Sequence, residues 1–134
     1  MVTKMVIVVR KDLNMRKGKI AAQAAHAANA FLTRQLESAA NKNIYRTSLT
    51  QSVSLSSYEI QWIAESNAKI VVGVNSESEL RELIESARKL RIPTNQIIDA
   101  GKTEFNGVPT LTCAAFGPYS CEELDKVTGH LSLL

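Results

Sequence analysis

Residues 5–34 of the chain read MVIVVRKDLNMRKGKIAAQAAHAANAFLTR, and this stretch decides the fold. Residues 5–9 are a continuous apolar run rich in β-branched side chains, which is typical of a strand buried on both faces. Residues 19–34 are rich in alanine and long enough for a helix. A buried strand that leads into a helix indicates the α/β class.

Three more helices are predicted by one signature, a serine followed three residues later by a glutamate that together cap a helix start. The pairs are Ser56 with Glu59, Ser76 with Glu79, and Ser120 with Glu123. Residues 68–74, 95–99 and 109–116 have the composition of strands, and Asn106-Gly107 indicates a turn before the last. The order β-α-α-β-α-β-β-α predicts an α/β layered fold with a small, mixed, mostly parallel four-stranded sheet.

Length and composition limit the class of protein. A chain of 134 residues is the size of one domain, and its net charge of +3 is compatible with a nucleic-acid partner without requiring one. No segment approaches the ~20 apolar residues of a membrane span, and the first residues resemble a strand more than a signal peptide. Cys113 and Cys121 have neither metal-site nor disulfide spacing, so we expect free thiols, no structural zinc and a cytoplasmic location.

The start of the first helix differs from the other three. Arg16, Lys17, Gly18 and Lys19 stand where the other helices have serine and glutamate, so positive charge meets the positive end of the helix dipole. A helix start with free amides, a glycine and flanking cations is a suitable phosphate site. The alternative is that these cations simply point into water.

Side chains of the first helix separate into two stripes at about 100° per residue. The polar stripe faces outward or into a cleft, and an opposite stripe is apolar. The polar stripe holds Lys19, Gln23 and His26, and the apolar one holds Ile20, Ala24, Ala28 and Phe31. For His26 alone, a surface histidine without a chemical task is the simpler interpretation.

Asp99 follows the third predicted strand and precedes a turn that contains Gly101. Ligands of open α/β sheets bind beyond the carboxyl ends of the strands. If the first and third strands are parallel neighbours, the turn and the first helix start line one crevice. Alternatively, Asp99 only forms hydrogen bonds within its own turn.

Four segments resemble the archaeal and eukaryotic class of peptidyl-tRNA hydrolases (type II), in the same order. They are MVIVVRKDL at 5–13, KGKIAAQAAHAA at 17–28, IPTNQIIDAGKT at 92–103, and the GP and EELDKVTGHLSLL of residues 117–134. The resemblance implies a single domain with helices on both faces of a mixed sheet, often a homodimer, without a cofactor. It also implies hydrolysis of the ester between a peptide and tRNA. Residues 35–54 lack a clear period and are interpreted as an insertion atypical of the family.

The resemblance assigns catalysis to four residues, Lys19, Gln23, Asp99 and Thr103. Candidates for binding tRNA phosphates are Arg10, Lys11, Arg16, Lys17, Gly18 and Lys102, with His26 as a neighbour. The chain departs from the family pattern at three positions, because Arg16 replaces a usual glycine, Lys102 an arginine and Glu104 a glutamine. These departures affect the expected substrate preference more than the reaction type.

Ester hydrolysis requires an attacking water and donors for the oxygen that becomes negative. Asp99 would accept a proton from the water or position it, Lys19 and Gln23 would donate to the oxyanion, and Thr103 would orient the water or Asp99. A cation beside Asp99 would lower its proton affinity, which favours the positioning role.

Two other functions remain open at this stage. One is a noncatalytic RNA-binding or interaction module that keeps the same fold. The other is a thiol hydrolase in which Cys121, at a helix start, acts with His130.

Overall fold

A computed structural model of the chain describes residues 2–102 and 104–134. Its elements follow the predicted order, and a short 3-10 turn at Phe105–Gly107 precedes the last strand. The strands are β1 Thr3–Arg10, β2 Lys69–Val74, β3 Thr94–Asp99 and β4 Thr110–Ser120. The helices are α1 Lys17–Lys42, α2 Ser57–Ala64, α3 Glu77–Lys89 and α4 Cys121–Thr128.

The four strands form a mixed sheet in the order β2-β1-β4-β3. β1 and β2 are parallel, whereas β4 is antiparallel to both of its neighbours. The prediction of a mostly parallel sheet was therefore wrong. Residues 100–109 are too short a connection to cross over the sheet, so β4 turns back beside β3 as an antiparallel neighbour.

β1 is buried on both faces, as its apolar run predicted. Val6 and Val8 pack with Phe116 and Leu124 in one core, and Ile7 packs in the second core on the opposite face. The first core includes residues of α3 and α4, and the second includes residues of α1 and α2. Helices therefore cover both faces of the sheet.

α1 is longer than predicted, because residues 35–42 continue the helix. Gln35 fixes this extension to the loop that follows, since its side-chain amide donates to the Ser54 carbonyl and accepts from the Ser54 N–H. The buried positions of α1 are Gln23, Ala27, Ala30 and Phe31. Three residues of the predicted apolar stripe, Ile20, Ala24 and Ala28, are only partly buried.

The helix starts confirm the contrast found in the sequence. Ser56, Ser76 and Ser120 each accept a hydrogen bond from the N–H three residues later. Of the three glutamates of the predicted capping boxes, Glu59 accepts from the N–H of its serine, whereas Glu79 accepts from the N–H of Asn75. Arg16, which precedes α1, makes no such bond with its side chain, and the first turn of α1 has no acidic residue. Among residues 2–102 and 104–134, no helix combines the length and apolar character needed to cross a bilayer.

Candidate active site

Lys19 and Asp99 form an ion pair at one edge of the sheet. Lys19 Nζ lies 2.7 Å from Asp99 Oδ1, and the side chains are 16% and 15% exposed, respectively. β1 and β3 are not neighbours, but both run antiparallel to β4, so their carboxyl ends lie at the same edge. The start of α1 and the end of β3 therefore meet, although β1 and β3 are not the parallel neighbours that were expected.

Gln23 is buried beside this pair. Its Nε2 lies 3.4 Å from Asp99 Oδ1, and its Oε1 accepts a hydrogen bond of 2.6 Å from the Thr112 hydroxyl. Because Thr112 occupies the oxygen of the amide, the amide nitrogen is directed toward Asp99. Thr112 was missed in the sequence, although a single hydroxyl inside the otherwise apolar run 111–116 is a usable signal.

The carboxylate of Asp99 accepts a third hydrogen bond, from the backbone N–H of Gly101 to Oδ2 at 2.8 Å. Gly101 has a φ of +81°, and a Cβ there would lie 2.5 Å from the carbonyl oxygen of Val108, so only glycine fits this turn. The turn therefore holds Asp99 in a fixed orientation. Asp99 therefore forms both the hydrogen bond within its own turn, with Gly101, and the contact with Lys19, although the sequence presented these as alternatives.

The hydrogen bond from Lys19 lowers the pKa of Asp99 below its ordinary value of 3.8. Desolvation opposes this change, while the Gly101 amide and the charges of Lys19 and His26 reinforce it. Asp99 is therefore ionised at neutral pH, and a carboxylate of such low pKa is a poor acceptor for a proton.

The remaining predicted residues lie at different distances from this centre. His26 is exposed and lies on the side of α1 that faces β3, while Lys102 is exposed in the turn after Asp99. Thr103 lies outside the residues that the structure describes. Phe105, which the sequence did not single out, has its ring centroid 6.0 Å from Lys19 Nζ.

Most of the predicted phosphate-binding residues are on the surface. Lys11, Arg16, Lys17 and Gly18 are exposed, and the last three form the start of α1. No atom lies within 4 Å of the position of a Cβ on Gly18, so the protein itself does not require glycine there. This leaves the backbone at the helix start open to a ligand.

Arg10 conflicts with its predicted role in binding phosphate. Its side chain is only 10% exposed, forms two hydrogen bonds with the Asp12 carboxylate, and lies 3.4 Å from Glu77. It also donates to the Leu111 carbonyl at 3.0 Å. Two carboxylates balance the guanidinium charge, so Arg10 joins the end of β1 to β4 and α3 and is not available for phosphate.

The geometry does not support a thiol mechanism. Burial raises the pKa of the Cys113 thiol to about 11. Cys121 is partly buried at the start of α4, and within the described part of the chain no hydrogen bond joins it to His130.

Comparison with known proteins agrees with the resemblance. Residues 3–134 match the family model described as peptidyl-tRNA hydrolase PTH2. The chain belongs to this family. It is 45% identical over 134 residues to a peptidyl-tRNA hydrolase of Sulfurisphaera tokodaii, with 100% of both chains covered. It is 42% identical to that of Methanocaldococcus jannaschii, with 98% of this chain and 99% of the relative covered.

One solved structure, a protein of unknown function from Agrobacterium tumefaciens, has a similar fold. The TM-score is 0.53 at 14% identity, and the match covers 100% of this chain and 98% of the other. At this identity the likeness concerns the fold alone.

Proposed function

We propose that this chain hydrolyses the ester that joins a peptide to the 3′ end of tRNA, releasing free peptide and free tRNA. The observation that carries the proposal is the cluster of Lys19, Gln23 and Asp99 at the sheet edge, in a chain of the peptidyl-tRNA hydrolase family. The cluster joins an ionised carboxylate to two donors at the edge where α/β proteins bind ligands.

In the proposed reaction, water attacks the acyl carbon and the bond to the ribose oxygen breaks. One proton of the water passes to the ribose oxygen, and the peptide leaves with a free carboxyl group. Asp99 orients the water, because its low pKa makes it a weak base. Lys19 and Gln23 donate to the carbonyl oxygen as it becomes negative, where losing one good donor typically costs about 2.7–4 kcal/mol. Thr103 completes the set by orienting the water or Asp99.

For RNA binding we propose the exposed cations around the start of α1. Arg16 and Lys17 lie at a helix start that the Arg16 side chain does not cap, Gly18 allows close approach, and Lys11 and Lys102 extend the basic surface. His26 is on the same helix, on the side that faces β3. Arg10 is not proposed for this role, because it forms ion pairs with Asp12 and Glu77. These ion pairs stabilise the fold around the loop that leads to α1.

The family resemblance extends the proposal to the protein's setting. We expect a homodimer that is located in the cytoplasm and acts without a cofactor. Its role in translation would be that of an esterase that releases tRNA from stalled peptides. The noncatalytic RNA-binding module is the alternative, and it is the weaker one because the proposed donors and the carboxylate are in mutual contact.

The test is release of an N-acetylated aminoacyl group from tRNA under single-turnover conditions. We expect Lys19→Ala and Asp99→Asn each to slow release at least ~100-fold, given the size of oxyanion effects for Lys19 and of positioning effects for Asp99. Lys4→Ala is a matched control, since Lys4 forms a 2.6 Å ion pair with Asp125. Salt-dependent tRNA binding without release by the unsubstituted protein would establish the noncatalytic alternative.

A further inference from the structure

A pocket of about 300 Å³ lies between α1 and β3, next to the catalytic cluster. Ile98 precedes Asp99 in β3, and His26 lies one helical turn beyond Gln23, so the pocket begins at the cluster. The residues that matter for its chemistry are His26, Asn29, Thr33, Arg34, Glu37 and Ile98.

Arg34 links α1 to β3 in the part of this pocket that is farther from the cluster. Its guanidinium donates to Asn95 Oδ1 at 2.8 Å and to the Gln96 carbonyl at 2.6 Å. Contacts with Asp99 near the start of α1 and with Asn95 farther along show that the helix and the strand run in opposite directions. The pocket therefore leads away from the cluster for about 12 Å, the length of helix from His26 to Arg34 at about 1.5 Å per residue. Extended peptide rises about 3.3 Å per residue, so about three residues fit.

The two sides of the catalytic cluster differ in charge. On the side of the helix start, Arg16 and Lys17 are exposed cations. On the side of the pocket, the lining contains one cationic side chain, Arg34, and one anionic side chain, Glu37, and the other polar groups are an amide, a hydroxyl and an imidazole. A polyanion is favoured on the first side only. The scissile ester joins RNA to peptide, so a cluster with one basic side and one side of mixed charge suits a substrate with one polyanionic arm and one peptide arm.

Resting on the proposed ester hydrolysis, we infer that this pocket binds the peptide arm of the substrate, namely the two or three residues next to the ester. β3 is an edge strand, so its outer backbone groups can pair with an extended peptide of any sequence. Arg34 already occupies the Gln96 carbonyl and so limits this pairing to the part of the strand near Asp99. The side chain of Ile98, which is 53% exposed, provides apolar contact there.

The test fills the pocket and varies the length of the acyl group. Thr33→Trp places a large ring in the pocket, and Ser38→Trp places the same ring at an exposed position outside it on the same helix. Each protein is assayed with one tRNA that bears either an N-acetylaminoacyl or an N-acetyltripeptidyl group. We expect Thr33→Trp to lower kcat/KM at least about tenfold more for the tripeptidyl substrate, the scale of a lost pocket contact. Ser38→Trp should affect neither substrate, and neither variant should change the affinity for deacylated tRNA.

Three results would overturn the inference. In the first, Thr33→Trp lowers kcat/KM equally for both substrates and weakens the binding of deacylated tRNA, but binds tRNA without the 3′-terminal adenosine as tightly as the unsubstituted protein does. This result would assign the pocket to a nucleoside. Unchanged hydrolysis of both substrates by Thr33→Trp would remove the subsite and leave the proposed activity intact. Absence of hydrolysis by the unsubstituted protein would remove both proposals together.

Discussion

Two lysine–aspartate pairs of almost equal length lie at opposite ends of the strands. Lys4, near the start of β1, is 2.6 Å from Asp125, and Lys19 is 2.7 Å from Asp99 at the end of β3. The Asp125 side chain is 56% exposed, whereas that of Asp99 is 15% exposed. Asp99 also accepts from the Gly101 amide and faces the Gln23 amide. The length of the ion pair therefore does not distinguish the two pairs, whereas burial and additional oriented donors do.

The largest effect among the following predictions concerns the donor that orients Gln23. Thr112→Val keeps the shape of the side chain but removes the hydroxyl that holds Gln23 Oε1. We expect kcat for ester cleavage to fall about 10- to 100-fold with little change in KM, since an oxyanion donor acts mainly in the transition state. Steady-state kinetics on N-acetylaminoacyl-tRNA measures both constants.

A threonine near the other lysine–aspartate pair offers a matched control for this substitution. Thr128 is a buried threonine of α4, three residues from Asp125, and its hydroxyl donates to the Leu124 carbonyl. Thr128→Val should lower stability without changing kcat, and Thr112→Ser should recover most of the lost rate. If Thr112→Ser is as slow as Thr112→Val, or if Thr128→Val is equally slow, the orienting role is wrong.

The second prediction concerns the pKa of Asp99 in the folded protein. Because the hydrogen bond from Lys19 lowers the pKa of Asp99 below 3.8, Asp99 stays ionised down to that range. Stability from this pair is present above the unfolded pKa and is lost as pH falls through the lower, folded pKa. Lys19→Ala removes the largest contribution that lowers the pKa of Asp99, whereas desolvation, which raises this pKa, remains. The pKa of Asp99 should therefore rise. Carboxyl NMR titration of the folded protein measures it directly.

The control for this titration is again the exposed pair. Lys4→Ala should leave the Asp99 titration where it is in the unsubstituted protein, because Lys4 contacts Asp125 and lies at the other end of the strands. A rise of equal size in both variants would show a general change in charge or folding, and the specific influence of Lys19 would be refuted.

Most of the fold followed from local patterns. The apolar run of β1 and the serine–glutamate pairs before three helices identify their elements because burial and capping act within a few residues. Strand direction was not predictable in this way, because the pairing of β4 between β1 and β3 depends on contacts between distant residues. The extension of α1 depends on Gln35 bonding to Ser54, which is also a distant contact.

The candidate site was predictable to the same extent. The sequence placed Lys19 and Asp99 at one crevice on the condition that the first and third strands were parallel neighbours. β4 separates these strands, yet the structure brings the two side chains into contact. The burial of Gln23 against Thr112 joins a helix to a strand far along the chain, and no spacing within either element shows it. Arg10 looked like its cationic neighbours in the sequence, yet Asp12 and Glu77 neutralise it in the fold.

The smallest predicted effect compares what the two pairs contribute to stability. Lys4→Ala should lower the free energy of unfolding by no more than about 1 kcal/mol, because the remaining Asp125 is well solvated. Lys19→Ala should cost about 1.5–3 kcal/mol, the usual range for a hydrogen bond to a charged group, because it leaves a largely buried carboxylate without its main charge partner. Urea denaturation at neutral pH, in low and high salt, measures both values. Salt should reduce the Lys4 contribution more strongly, since screening acts on the more exposed pair. Equal costs with equal salt dependence would mean that burial does not distinguish the pairs.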